Sequence, residues 1–225
     1  MRIFLLISFF MTFSVFSQTG NYDNPNYKKI KRAVKKKKSN FHYHKLFKKF
    51  SNPNSKMTLE EKRFLYYGYI YQKNYKPFGF SKYRDSLNIY AKKQLTKKSI
   101  QKMIYFSENI LSDNPFNIEV LTYKAYLHRK AKDAIGYQLA KKQLNIIFDA
   151  ILSSGNGKTK ATAYHIIYRE HKTDILKHFK LKFNGIRKTI EKFRIEYLNV
   201  AKNKYGIRGV YFNVKAFKID LKSKK

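Results

Sequence analysis

The hydrophobic positions of this 225-residue chain show two textures that meet at one polar break. Before the break, apolar residues recur every three or four positions, the spacing of helix faces. Thr58-Leu59-Glu60-Glu61 opens the best-marked helix as a capping box, in which Thr58 accepts from the Glu61 N–H and Glu61 reaches back to the Thr58 N–H. That helix runs through Phe64-Leu65-Tyr66-Tyr67-Gly68-Tyr69-Ile70-Tyr71 and stops in Asn74-Tyr75-Lys76-Pro77. Its aromatics occur all round the axis, which predicts a helix held between neighbours. Gly68 in its middle costs on the order of 1 kcal/mol relative to Ala, a cost that makes sense where another helix backbone passes close to it.

Further helix faces follow. Tyr83, Leu87, Tyr90 and Ala91 form one, and Ile100, Met103, Ile104, Ile110 and Leu111 form the next, ended by Asp113-Asn114-Pro115. Val120, Leu121 and Ala125 mark a third helix, and Tyr137, Leu144, Ile147, Phe148 and Ile151 a fourth. Leu87 with Ala91 and Leu121 with Ala125 recur at a spacing of 34, the length of a tetratricopeptide repeat. Phe64-Tyr67-Gly68-Tyr71 also fits the first helix of such a repeat, but in a different phase. The expectation is therefore stacked antiparallel helical hairpins of tetratricopeptide-like type, without a regular array.

The break is Ser153-Ser154-Gly155-Asn156-Gly157-Lys158-Thr159-Lys160-Ala161-Thr162. Gly157-Lys158-Thr159 matches the end of the phosphate-loop pattern G-x-x-x-x-G-K-[ST]. The pattern is incomplete, because its first Gly falls on Leu152, and the order is helix then strand where a phosphate loop needs strand then helix. The plainer expectation is a helix stop, with Gly155 or Gly157 in the left-handed conformation that closes a C-terminus.

Beyond it the texture turns strand-like. Thr162 to Tyr168 is a branched and aromatic run, Thr173 to Phe179 suits one or two helical turns, and Phe193–Val200 and Gly209–Val214 read as strands joined by Asn203-Lys204-Tyr205-Gly206. Together they predict an α+β fold, mainly α, in which the helical hairpins precede a small, three-stranded antiparallel sheet. Its Lys-rich end from Lys215 onward reads as frayed. The organisation is a leader over 1–17, a basic arm over 18–40, a helical-hairpin region over 41–152 and a small α+β region over 153–225 packed on the helices.

Composition changes the picture in three ways. With 43% hydrophobic and 17% aromatic residues the chain can build a real core. The absence of cysteine removes disulfides, thiolate metal sites, cysteine nucleophiles and lipidation at a leader boundary, so the chain is not a lipoprotein. Met1-Arg2, an apolar run over Ile3–Phe16 and small residues before Gln18 make a Sec-type signal peptide, with cleavage expected after Ser17. That run is shorter than the roughly 20 residues of a spanning helix. No later segment is apolar enough to span, which places the mature chain in the periplasm or outside the cell.

The net charge of +35, from 49 Lys and Arg against 14 Asp and Glu, predicts attraction to anionic surfaces such as lipopolysaccharide. Only 9 of the cations are Arg, and base and phosphate recognition favours guanidinium, which argues against nucleic acid as the partner. One stretch concentrates the charge: no acidic residue lies between Asp23 and Glu60, while Lys28, Lys29, Lys31, Arg32, Lys35, Lys36, Lys37 and Lys38 crowd its first third. Ile30, Ala33 and Val34 would let this arm form a short helix with an apolar face against the body; the alternative is a mobile basic leader.

Phe41-His42-Tyr43-His44 could offer two histidines on one strand face, but no third ligand is near, and an aromatic packing segment is the simpler role. Glu170 beside His171 is the nearest approach to an acid/base pair; neighbours on a strand point to opposite faces. No nucleophile elbow, zinc-helix motif or intact phosphate loop is present, so no catalytic residue, metal ligand or cofactor is assigned.

Leu65-Tyr66-Tyr67-Gly68-Tyr69, Tyr75-Lys76-Pro77-Phe78-Gly79, Asp113-Asn114-Pro115-Phe116, Ser153-Ser154-Gly155-Asn156-Gly157 and Gly209-Val210-Tyr211-Phe212-Asn213 stand in this order along the chain. In that arrangement the sequence resembles a secreted domain-of-unknown-function family, numbered four-nine-one-nine, of the Bacteroidetes lineage. The resemblance implies a signal sequence and a small soluble body, and carries no activity or catalytic residues. Relatives often have Ser-Gly-Asp-Gly where this chain has Asn156, and the missing carboxylate argues against a metal or general-base role there.

Three functions remain open at the level of sequence. The first is a periplasmic or surface-associated interaction module for an envelope protein or glycan, with Tyr66, Tyr69, Tyr75 and Phe78 as exposed anchors and Gly155 and Gly157 beside them. The second is an envelope hydrolase. The third is electrostatic capture of polyanions by the basic arm.

Overall fold

The computed structural model describes residues 22–190 and 194–216. The expected leader over 1–17 and most of the Lys-rich C-terminal end lie outside them. The order of elements is α1 (Tyr27–Lys35), α2 (Tyr43–Phe50), α3 (Leu59–Gly68) with a 3-10 turn over Tyr69–Tyr71, α4 (Arg84–Ala91), α5 (Lys97–Asp113), α6 (Ile118–Lys130), α7 (Ala134–Leu152), β1 (Tyr164–His165), α8 (His171–His178), β2 (Phe183–Ile190), β3 (Ile195–Val200) and β4 (Gly209–Asn213). This is an α+β fold, mainly α. None of the described helices is long and apolar enough to cross a membrane.

The helices begin where short polar side chains can satisfy their first amides. Thr58 and Glu61 form the expected capping box on α3, and Thr96 and Ser99 form a second on α5. Asn26, Asn117 and Asp133 cap α1, α6 and α7. From α4 to α7 each helix packs on the next, and only short loops separate α5, α6 and α7, the arrangement of antiparallel hairpins.

The basic arm contains helix α1, whose apolar face is used: Ile30 and Val34 are buried against α3. This explains Gly68. A Cβ there would lie 2.6 Å from Val34 Cγ1, so the glycine makes room for a side chain of α1 rather than for a helix backbone. Phe41-His42-Tyr43-His44 is not a strand; Tyr43 starts α2, and His42 and His44 lie at its N-terminal end.

The sheet differs from expectation in two respects. Its order is β1-β4-β3-β2, with β2, β3 and β4 antiparallel and β1 added parallel to β4. The run Thr162–Tyr168 yields only a two-residue strand, because after Ile166 the chain leaves the sheet for α8. The fourth strand, β2, lies on the outer edge with nearly every residue exposed. One main core joins the two parts of the molecule, running from Ile30 and Tyr66 through Ile147 to Ile175, Val210 and Phe212; a smaller cluster around Met103 fills the α4–α6 hairpins.

Candidate functional site

Three of the four aromatics expected as surface anchors are core residues. Tyr66 is 0% exposed, and Tyr69 and Tyr75 are each 4% exposed. Their hydroxyls explain how such polar side chains tolerate burial. The Tyr66 O–H lies 2.6 Å from His171 Nδ1 and accepts from the Ile167 N–H at 3.2 Å, while His171 Nε2 lies 2.9 Å from the Phe116 carbonyl. The Tyr75 hydroxyl donates to the Ile167 carbonyl, and that of Tyr69 to the carbonyls of Asn74 and Asp113. Burial raises the Tyr66 phenol well above its usual value, raises Tyr69 to about 12, and lowers His171 to about 4, so this network is neutral.

Phe78 has the opposite fate. The chain leaves the core after Pro77 and sets Phe78 at 50% and Phe80 at 89% exposure on the rim of a cleft of about 690 Å³. The loop over 74–84, the junction of α5 with α6, and Arg169 with Glu170 wall this cleft. Arg169 lies over the Phe78 ring at 5.7 Å and has no ion-pair partner among the described residues, whereas Arg84 is paired with Glu119 at 2.8 Å. Asn114 and Asn117 turn their side-chain oxygens to the Phe116 and Val120 amides. Their remaining N–H groups belong to the cleft wall; that of Asn114 is 3.5 Å from Glu170 Oε1.

Glu170 and His171 part company at the start of α8. His171 turns into the core, and Glu170 lines the cleft. Much of Glu170 is exposed, yet the atoms packed about its carboxyl desolvate it and raise its pKa, with nearby Glu119 adding to the rise and Arg84 opposing it. One turn further on, Asp174 is buried with Oδ2 unpaired, and desolvation lifts it to about 7. Among the described residues no group of three or more His, Cys, Asp or Glu could hold a metal ion.

Gly155 and Gly157 lie in a closed loop away from the cleft. The amides of Asn156 and Gly157 both donate to the Thr162 carbonyl, at 2.9 and 2.8 Å, so the groups that would cradle a phosphate are already used. A Cβ on Gly155 would lie 2.2 Å from that carbonyl oxygen; Gly157 has φ +67°, but it sits in the loop beyond the C-cap Ser153 and does not close α7 as expected. Their requirement is structural: they fold the end of α7 back on β1, where Ser154 Oγ accepts from the His165 N–H at 2.9 Å.

The arm cations Lys28, Lys29, Lys31, Arg32, Lys35, Lys36, Lys37 and Lys38 are all exposed on or just after α1. Lys29 is paired with Glu60 at 3.1 Å, and Lys31 lies over the Tyr71 ring. The cleft went unrecognised in the sequence because Phe80, Arg84, Asn117 and Arg169 are scattered along it. A Phe-Gly-Phe run directly after a helix-ending proline was the one local signal.

The described residues form helical hairpins closed by a small mixed sheet, with an aromatic-rimmed cleft at the turn into α8. The chain belongs to the family described as a domain of unknown function, DUF4919, whose profile matches residues 28–222. Neither a search of curated proteins nor a search of solved structures returned a match.

Proposed function

We propose that this protein is a secreted, soluble interaction module of the periplasm or cell surface, released from its leader after Ser17, and that it binds an envelope protein or glycan in the cleft beside Phe78 and Phe80. The observation that carries this proposal is the exposure of Phe78 and Phe80 beside the Arg169 guanidinium, which has no ion-pair partner among the described residues. Exposed aromatic surface beside arginine is the kind of group that dominates binding interfaces. The leader pattern supports the location.

The test uses the mature chain from Gln18, immobilised and exposed to envelope extract, then washed in low and high salt. A discrete component that survives high salt on the wild type and is lost from a Phe78→Ala/Phe80→Ala variant is the expected result. Retention that the variant leaves unchanged overturns the assignment to the cleft. A second reading, polyanion capture by the arm, is favoured by the exposure of Lys28, Arg32 and Lys35–Lys38 on one helix and its exit. It expects binding lost at high salt and indifferent to the phenylalanines.

A further inference from the structure

Cavities adjoin the cleft on both sides. On one side, Asn74 and Ser112 also wall a cavity of about 590 Å³. That cavity in turn shares Tyr43, Phe47 and Gln72 with one of about 480 Å³ that ends at Val34 and Lys35. On the other side, Arg169 and Glu170 are common to the cleft and to a cavity of about 670 Å³ that reaches Phe183 and Arg187 beside the edge strand β2. The four depressions therefore follow one another from the end of the basic arm to the sheet.

Their lining repeats one chemistry. Rings recur along the path at Tyr43, Phe47, Phe78, Phe80 and Phe183, and cations at Lys35, Lys73, Lys76, Arg169 and Arg187. Between them stand groups that accept or exchange hydrogen bonds: the carboxylates of Asp113 and Glu170, and the amides of Gln72, Asn74 and Asn117.

We propose that these cavities form one groove for an extended acidic polysaccharide, with sugar rings stacked on the exposed rings of Phe78, Phe80 and Phe183 and sugar carboxylates held by Arg169, Lys76 and Arg187. This proposal rests on the interaction-module reading and names the ligand class for the same cleft.

The mixture of groups selects among polyanions. The phosphodiesters of a nucleic acid backbone offer no donor to Asp113 or Glu170. A sugar acid brings one carboxylate with several hydroxyls, and those hydroxyls can donate to the same two carboxylates while accepting from the asparagine amides. Guanidinium binds a planar carboxylate through two parallel hydrogen bonds, which suits Arg169. A docked peptide helix would call for a continuous apolar stripe, whereas here isolated rings alternate with cations and amides.

The experiment measures binding of the mature chain to polygalacturonate and alginate oligomers of increasing length, to neutral dextran, to single-stranded DNA and to polyglutamate, by calorimetry at two salt concentrations. The expected result is binding of the acidic oligosaccharides that tightens with chain length and then levels off. Phe80→Ala and Arg169→Gln, both at exposed positions, should each weaken it about tenfold or more, and Lys102→Gln, exposed on α5 roughly two to three turns before the cleft, should not.

Equal binding of DNA, polyglutamate and sugar acids, unaffected by Phe80→Ala, overturns the proposal in favour of charge alone. Binding of neutral dextran with equal strength overturns the role given to the cations. Absence of any glycan binding, with a protein from envelope extract still captured through Phe78 and Phe80, overturns this ligand class and leaves the interaction module standing. If nothing at all depends on Phe78, Phe80 and Arg169, both proposals fall together.

Discussion

Residues 64–75 and 76–84 are neighbouring aromatic stretches, yet the tyrosines Tyr66, Tyr67, Tyr69 and Tyr75 of the first are buried and the phenylalanines Phe78 and Phe80 of the second are exposed. Tyr66, Tyr67, Tyr69 and Tyr75 are buried with their hydroxyls bonded to backbone carbonyls, a backbone amide or His171. Phe78 and Phe80, which have no polar atom to satisfy, are the ones exposed. Burial here follows where neighbouring elements cover the chain; Phe78, with Arg169 over its ring, keeps half of its surface open, and Phe80 keeps nearly all of its own.

The largest effect that separates the two stretches is expected from Tyr66→Ala, which empties the space between α3, Phe116 and His171. It should cost about 3–5 kcal/mol in urea unfolding. A loss as small as that of an exposed substitution would mean that the buried network contributes little.

Next comes acidity on the inner side. His165 and His171 are lowered to about 4 and Asp174 is raised to about 7, each chiefly by burial. Between about pH 4 and 6.5 the unfolded chain therefore holds two more protons at the histidines, and the folded chain one more at Asp174. From these three groups stability should rise with pH to about 6.5, then slip slightly until Asp174 has ionised near 7. Asp174→Asn should steepen the acid side and add on the order of 2 kcal/mol at about pH 8. A flat profile of unfolding midpoint against pH would contradict the burial of all three.

Tyr66→Phe sharpens the comparison by keeping the ring and removing only the hydroxyl. It leaves the Ile167 amide and His171 Nδ1 unpaired and should cost about 1–3 kcal/mol. The smallest effect belongs to Phe78→Ala and Phe80→Ala, expected within about 0.5 kcal/mol of wild type in the same unfolding experiment. A large loss at either would mark it as part of the fold.

Much of the helical half was legible because caps and spacing are local. Thr58 with Glu61, the Asp113-Asn114-Pro115 stop and the faces of α4 to α7 all act within a turn or two of sequence. The sheet was less so. Strand β2 has no apolar alternation to read, since Phe183-Asn184-Gly185-Ile186-Arg187-Lys188 lies open on both faces and is irregular between Phe183 and Arg187. The cleft was least legible of all. Its walls come from the 74–84 loop, the α5–α6 junction and the start of α8, and no window of sequence contains them together. The aromatic stretch misled for a related reason: rings all round a helix forecast enclosure, but do not say where the enclosure ends.

The segment before α1 has one further consequence. Asn24 Oδ1 lies 3.0 Å from His165 Nε2, Asp23 N donates to the Ser153 carbonyl, and Arg63 clasps Asp23 through both its carbonyl and its carboxylate. The first of these contacts spans 141 residues. Arg63 lies only 40 residues from Asp23, but the contacts to Ser153 and His165 close far longer loops, which is entropically slow. The N-terminal residues act as a latch set last, and deleting Asp23 and Asn24 should hasten unfolding more than it slows folding.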